Sequence, residues 1–221
     1  MEILGHGIYT APEASRLSGV SSRCVRYWFR GDGKRGPALG IGDYSDTPDD
    51  SLLLSFHDLI DVKVVGAIRE KGVALQYLRK IHSRLIEELG TRHPFARKDF
   101  YTDGKAVWVN EKSKEGEMIR EILSGQHAFP TILKPFLESI EYDEHSLMAE
   151  IWHIGKGIII DPEIRYGKPV VEGTGIPAEL LAMAYQANGE DPEIVAEWYD
   201  VSPAEVEAAV AFQRRILGKA A

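Results

Sequence analysis

Arg23, Arg26, Tyr27 and Arg30 recur at i, i+3, i+4 and i+7 in the segment SSRCVRYWFR. That spacing brings four side chains to one face of a helix. Three guanidinium forks beside a phenol, led in by Ser21 and Ser22, suit phosphate oxygens and base edges in a DNA major groove. A solvated amphipathic helix with a basic outer face satisfies the same spacing. Other chemistry is hard to find. Gly167-Lys168-Pro169 lacks the glycine spacing and the hydroxyl of a P-loop, and Gly173-Thr174-Gly175 is too short for a nucleotide fingerprint. The seven histidines form no H-E-x-x-H pair. His57 beside Asp58 and Asp61 reads as a solvated helical surface rather than a metal site. No spacing pairs Asp161, Glu163 or Glu172 for acid–base work. The expectation is therefore a binding protein and not an enzyme, with no catalytic residues, no cofactor and no metal.

The elements that must position the arginines are legible from local signals. Thr10 with Glu13 three residues on is a capping box, and Pro12 suits a first turn, so a helix is expected through Leu17. Ser18, Gly19 and Val20 make a turn, and Ser21 caps a second helix running towards Phe29. Two short helices about a glycine turn match the helix-turn-helix pattern. Ala14, Leu17, Val20, Val25 and Trp28 would form its inner core, with Cys24 packed at the flank. The following stretch, GDGKRGPALGIGDYSDTPDD, is too rich in Gly, Pro and Asp to continue the helix. A hairpin wing there places Lys34 and Arg35 at its tip, within reach of phosphate; a linker with incidental charges is the alternative.

GVSSRCVRYW resembles the GVS…LRYY signature that opens MerR-type regulators, and the N-terminal third is similar to the DNA-binding domain of VapB-like antitoxins from bacterial type II toxin–antitoxin pairs. The resemblance implies a winged helix-turn-helix and puts Arg26, and less directly Tyr27, on the DNA-facing helix. Ser21 and Arg23 are candidates from helix geometry alone. The phrase LSFHDLIDVKVVGAIREKGVALQYLRKI is similar to the helical extension after the wing in MerR-like proteins. Ser55 and Asp58 open its first helix, Phe56, Leu59, Ile60, Val64, Ala67 and Ile68 keep the helical period, and Gly90 stops the second helix. Arg79, Lys80 and Arg84 would form an exposed basic patch on that second helix.

A net charge of −8 suits a DNA-binding protein only once it is divided along the chain. Residues 1–105 carry 16 Lys and Arg against 14 Asp and Glu, whereas residues 106–221 carry 10 against 20. Because screening acts within about 8–10 Å, the local balance matters more to a docked duplex than the total. The acidic half suggests a basic partner or simple solubility. One cysteine excludes an internal disulfide. No apolar run approaches the ~20 residues that span a bilayer, and no signal-peptide core is visible, so a cytoplasmic protein without membrane contact is expected.

From Thr91 to Gly157 the pattern turns β-rich. A hairpin is expected over Phe100–Val109 about Asp103-Gly104, a short helix over Lys112–Gly125, and strands at Ser139–Tyr142 and Leu147–His153 about Asp143–Ser146. Three helix starts follow. Gly175-Ile176-Pro177 leads a helix carrying Leu180, Leu181 and Ala184; Asp191-Pro192 caps one with Ile194, Val195, Trp198 and Tyr199. Ser202-Pro203 with Glu205 caps a third, carrying Val206, Ala209, Val210, Gln213 and Leu217. The chain thus divides into a winged domain (1–92), a β-containing connector (93–157) and a trihelical, helix-turn-helix-like domain (158–221), mainly α with small β.

The run IDPEIRYGKPVVEGTGIP resembles the hallmark IDP-x-I-x-x-GKP-x-I/V-x-GT-x-IP of a widespread family of short bacterial proteins, over nearly all of residues 158–216. Gly175 stands where many members have Arg. The resemblance implies an antitoxin, often paired with a PIN-like ribonuclease toxin; the motif itself reads as a folding signature without a ligand. The first expectation is an antitoxin and autorepressor that binds operator DNA as a homodimer and holds its toxin on the acidic half. Arg165, Lys168, Arg214 and Arg215 are the candidates to block a toxin site built on carboxylates. The alternative is a MerR-like, effector-responsive regulator with no toxin partner.

Overall fold

The computed structural model describes residues 6–31, 38–40, 42–45, 52–70, 72–98 and 135–218. The fold is mainly helical with small antiparallel sheets, and it forms two compact units. One comprises residues 9–149; the other runs from Glu150 onward and includes the N-terminal residues up to Ile8. The hairpin expected near residue 103, the helix expected at 112–125, and Lys34 and Arg35 lie outside the described residues.

In the first unit, β1 (Tyr9–Thr10) pairs antiparallel with β2 (Leu53–Leu54). Thr10 then caps α1 (Ala11–Ser18): its backbone N–H donates to Glu13 Oε2 at 2.8 Å and its hydroxyl accepts from the Glu13 N–H at 3.4 Å. A cap of this kind is worth about 1 kcal/mol. Gly19, at φ 80°, ends the helix. Ser21 accepts from the Cys24 N–H at 3.3 Å and starts α2 (Ser22–Arg30). Further on, Ser55 and Asp58 cap α3 (Phe56–Glu70) reciprocally, at 3.1 and 2.9 Å. Gly90 in the left-handed region closes α4 (Leu75–Leu89), and a 3-10 turn follows at Pro94–Ala96.

The centre of this unit is α3. Eleven of its fifteen residues are buried, Leu59, Ile60, Val64 and Val65 among them. A helix apolar on nearly every side must be enclosed, and α1 and the 3-10 turn pack against it. Ala14, Val25 and Trp28 are buried between α1 and α2, while Leu17 and Val20 are only half-buried. The reason for Gly66 is steric: a Cβ there would overlap Val20 Cγ2. The α1–α2 turn therefore rests directly on the α3 backbone. Strand β3 (Ile140–Tyr142) runs into a turn in which Asp143 Oδ1 accepts from the Ser146 N–H and hydroxyl, both at 2.6 Å.

The second unit contains β4 (Ala149–Gly155), β5 (Ile158–Ile160) and β6 (Val170–Val171), antiparallel in that order. Gly157, at φ 67°, makes the turn between the first two. Three helices follow: α5 (Ala178–Ala187), α6 (Pro192–Tyr199) and α7 (Pro203–Gly218), with α7 packed on both others and on β5. Asp191 caps α6, and Ser202 with Glu205 forms a reciprocal box before α7. The buried stripe of α7 is Val206, Ala209, Val210, Phe212 and Ile216. Gln213 is half-buried and Leu217 is 61% exposed. The stripe follows Ala209, Phe212 and Ile216 at i, i+3 and i+7, which turns Leu217 outward. Leu180, Ile194 and Trp198 also lie at the surface; Leu181, Val195 and Ala196 fill the core instead.

Candidate nucleic-acid interface

The outer face of α2 carries Arg23, Arg26 and Arg30, all exposed, while Val25 and Trp28 on the opposite face are buried. The helix is thus clamped from behind and leaves its cations outside. Ser22 accepts a hydrogen bond from Arg26 Nη1 at 2.9 Å, which fixes that guanidinium along the helix surface. Ser21 is exposed, with one lone pair used by the cap. Cys24 is exposed as well, rather than packed at the flank. Lys63, from α3, donates to the Ser18 carbonyl at 2.9 Å and so places a cation at the C-terminus of α1.

Tyr27 is half-buried and has a fixed neighbour. Arg79, on α4, donates from Nη2 to the Tyr27 hydroxyl at 2.9 Å, and its guanidinium carbon lies 5.4 Å from the ring centroid. Arg79 is consequently not part of an open basic patch; it is half-buried and orients the one aromatic of the arginine stripe. Arg84 pairs with Glu88 at 2.8 Å on the exposed side of α4. Of the expected α4 patch, Lys80 and Arg84 are exposed and Arg79 is engaged.

The same unit holds a buried charge cluster that includes Asp58 and Asp61, two residues expected at a solvated surface. His93 is buried, with Nε2 3.0 Å from Asp43 Oδ1 and Nδ1 3.1 Å from Asp61 Oδ2 and 3.6 Å from Asp58 Oδ1. Asp58 and Asp61 are 1% and 3% exposed. Burial would lower the His93 pKa, but the hydrogen bonds to Asp43 and Asp61 and the surrounding negative charge win and push it up to about 10. Burial likewise opposes ionisation of Asp43, yet the His93 hydrogen bond and charge hold it near 2. For Asp58 burial prevails over His93 and raises the carboxyl to about 6. His57 Nε2 lies 2.9 Å from the Ala149 carbonyl, and burial lowers the pKa of its ring. Burial also lowers that of His82.

The cluster ties the chain after α2 to α3 and to the 3-10 turn. Leu39 N–H donates to the Trp28 carbonyl at 2.6 Å, and the Asp43 N–H donates to Asp58 Oδ2 at 3.2 Å. The expectation that His57, Asp58 and Asp61 are solvated is corrected here. A signal existed: a helix apolar on almost every face has no solvated side left for its acids. Nothing in the spacing pointed to His93, more than thirty residues away. Among the described residues, no group of three or more His, Cys, Asp or Glu side chains is arranged to hold a metal ion.

In the second unit the GKP run is occupied with its own folding. Arg165, Tyr166 and Gly167 are all left-handed, at φ 50°, 59° and 77°. The Val171 N–H donates to the Ile176 carbonyl at 2.9 Å, Thr174 Oγ1 to the Val171 carbonyl at 3.0 Å, and the Ala178 N–H to the Pro169 carbonyl at 3.0 Å. These bonds return the chain from β6 into α5. Arg165 Nε donates to the Gly175 carbonyl at 3.4 Å and Arg215 Nη2 to the Ile154 carbonyl at 2.6 Å; Arg214 lies 3.9 Å from Glu190. Lys168 is exposed. The four basic candidates therefore differ: Arg215 is held by the unit's own backbone, and Lys168 projects from it.

Comparison with known proteins bears on both units. Residues 158–212 match the family model described as "Protein of unknown function (DUF433)". Over 222 aligned residues, 92% of each chain, the protein is 28% identical to a Mycobacterium tuberculosis (strain ATCC 25618 / H37Rv) protein named "Putative antitoxin VapB45". It is also similar to the crystal structure of RV2018 from Mycobacterium tuberculosis, with a TM-score of 0.72 and 25% identity, covering 91% of this chain and 96% of that one. Among the described residues, no helix is long and apolar enough to cross a membrane.

Proposed function

We propose that this chain is the antitoxin of a type II toxin–antitoxin pair, neutralising a PIN-like ribonuclease toxin and repressing its own operon by sequence-specific DNA binding. The observation that carries the DNA half is the arginine face of α2, exposed along a helix whose other side is packed. The antitoxin half is supported by a similarity that runs along 92% of both chains to a relative bearing that name. As a homodimer the protein would read two half-sites, one arginine face to each. Arg23 and Arg26 contact base edges or phosphate, Arg30 and Tyr27 the flanking backbone, and Ser21 and Ser22 the phosphate at the helix start. The chain performs no catalysis of its own.

The experiment is titration of the full chain against DNA from upstream of its own reading frame, followed by fluorescence anisotropy. The double variant Arg23→Ala/Arg26→Ala should lose affinity by roughly 2–6 kcal/mol, since each bidentate contact is worth about 1–3 kcal/mol. Its melting temperature should match wild type, because both side chains are exposed. Wild-type affinity should fall steeply as salt rises, through release of condensed counterions. Retained affinity in the double variant, or a flat salt response, refutes the assignment.

A further inference from the structure

Among the described residues, the large apolar side chains that stand open to solvent are Tyr166, Leu180, Met183, Ile194, Trp198 and Leu217, and all belong to the second unit. Trp198 is 62% and Met183 61% exposed. Two pairs are helix neighbours: Ile194 and Trp198 at i, i+4 on α6, and Leu180 and Met183 at i, i+3 on α5. The exposure does not come from loose packing. Leu181, Val195 and Ala196 on the inner faces of the same helices are buried, α5 packs on α6, and Asp191 caps α6. These are apolar groups held outward by a finished core, and clustered exposure of this kind marks interaction surfaces.

Charge selects the occupant. Residues 169–213 contain nine acidic residues and no Lys, Arg or His. Glu193 and Glu197 are exposed on α6 around Ile194 and Trp198, and Glu179 is exposed beside Leu180. An acidic rim repels nucleic acid and anionic lipid. It also repels a second copy of itself, whose rim would meet like charge with like. A basic protein surface with an apolar centre satisfies both features, and a ribonuclease must carry cations where it holds RNA.

We propose that the outer faces of α5 and α6, centred on Trp198 and Ile194, are the docking surface for the toxin, seated on its basic RNA-binding face. The inference rests on the antitoxin reading and names the surface that reading requires. Occupying the toxin's RNA-binding face would neutralise it by occlusion, with no need for a basic side chain inserted among its catalytic carboxylates. Trp198 is the anchor, as large aromatics are where binding energy concentrates.

The test uses the full chain and the protein encoded by the reading frame adjoining its gene. Affinity is measured by calorimetry, and protection by growth on co-expression. Trp198→Glu and Ile194→Glu should each weaken binding at least about thirtyfold and abolish protection, with operator affinity and melting temperature unchanged. The milder Trp198→Ala and the charge reversal Glu193→Lys/Glu197→Lys serve if either fails to fold; the reversal should slow association at low salt. If wild type binds and protects but all these variants bind equally well, the surface is wrong and the antitoxin reading stands. If wild type neither binds nor protects, the antitoxin reading falls and takes the surface with it. If Trp198→Glu changes only self-association in sedimentation, the face joins two copies of this chain and the proposal is overturned.

Discussion

A histidine enclosed by three carboxylates, as His93 is by Asp43, Asp58 and Asp61, makes folding depend on pH group by group. His93 rises from 6.5 to about 10, so its contribution is complete below pH 6.5 and is lost as pH climbs through 10. Asp43 falls from 3.8 to about 2, so its contribution holds above 3.8 and is lost as pH drops through 2. Asp58, raised to about 6, acts the other way: it favours the fold below 3.8 and ceases to as pH passes 6. His57 and His82, both lowered, favour the fold above 6.5 and lose that contribution on acidification. Tyr44, pushed up to about 12 by burial and by Asp43 and Asp58, adds only to the loss above pH 10. Between about pH 7 and 10 the His93 loss therefore governs. Unfolding free energy in urea titration should decline steadily across that range in wild type, and His93→Gln should flatten the decline. An unchanged pH slope in the variant would place the titrating group elsewhere. The arginine face was readable because helix spacing alone determines which side chains share a side. The His93 cluster was not, because it joins three separated segments and no local pattern encodes that meeting.

Among the elements, the α1–turn–α2 unit is positioned by contact with α3, and Gly66 sets the distance. Adding a methyl there improves helix propensity by about 1 kcal/mol, yet the new Cβ would overlap Val20 Cγ2, a stiff branched side chain. Gly66→Ala should thus destabilise the protein by about 1–3 kcal/mol in urea titration, and Gly66→Ala/Val20→Ala should recover part of it. Additive losses would show that the two residues do not touch. The helix starts were legible because caps are local: Thr10 with Glu13, Ser21, Ser55 with Asp58, Asp191, and Ser202 with Glu205 all act where their spacing put them. The inward stripes of α5, α6 and α7 were legible only in part. Leu180, Ile194, Trp198 and Leu217 have the residue types of a core, and type alone does not say whether the protein that covers a side chain is the chain's own.

On the scale of the whole molecule, the excess of acid over base lies mostly in the unit from Glu150 onward, with 12 Asp and Glu against 6 Lys and Arg in residues 150–221. Strand β4 already starts at Ala149, ahead of the point where the GKP-bearing segment begins to resemble anything. A deletion from residue 158 therefore strips β4 of its partner β5, whereas one from residue 150 follows the boundary between the compact units. The shorter product, ending at residue 149, should keep salt-sensitive operator binding and lose all toxin neutralisation in the growth assay; surviving neutralisation would reverse the division of labour. Near that second unit's start, Arg165, Tyr166 and Gly167 bend left-handed in succession, and the tyrosine ring points into water. A backbone of that hand costs about 1–2 kcal/mol at each side-chain-bearing residue, and a tyrosine 56% exposed returns little of it through packing. The domain would relax if glycine or asparagine replaced the tyrosine, so its own architecture gives no reason for an aromatic there.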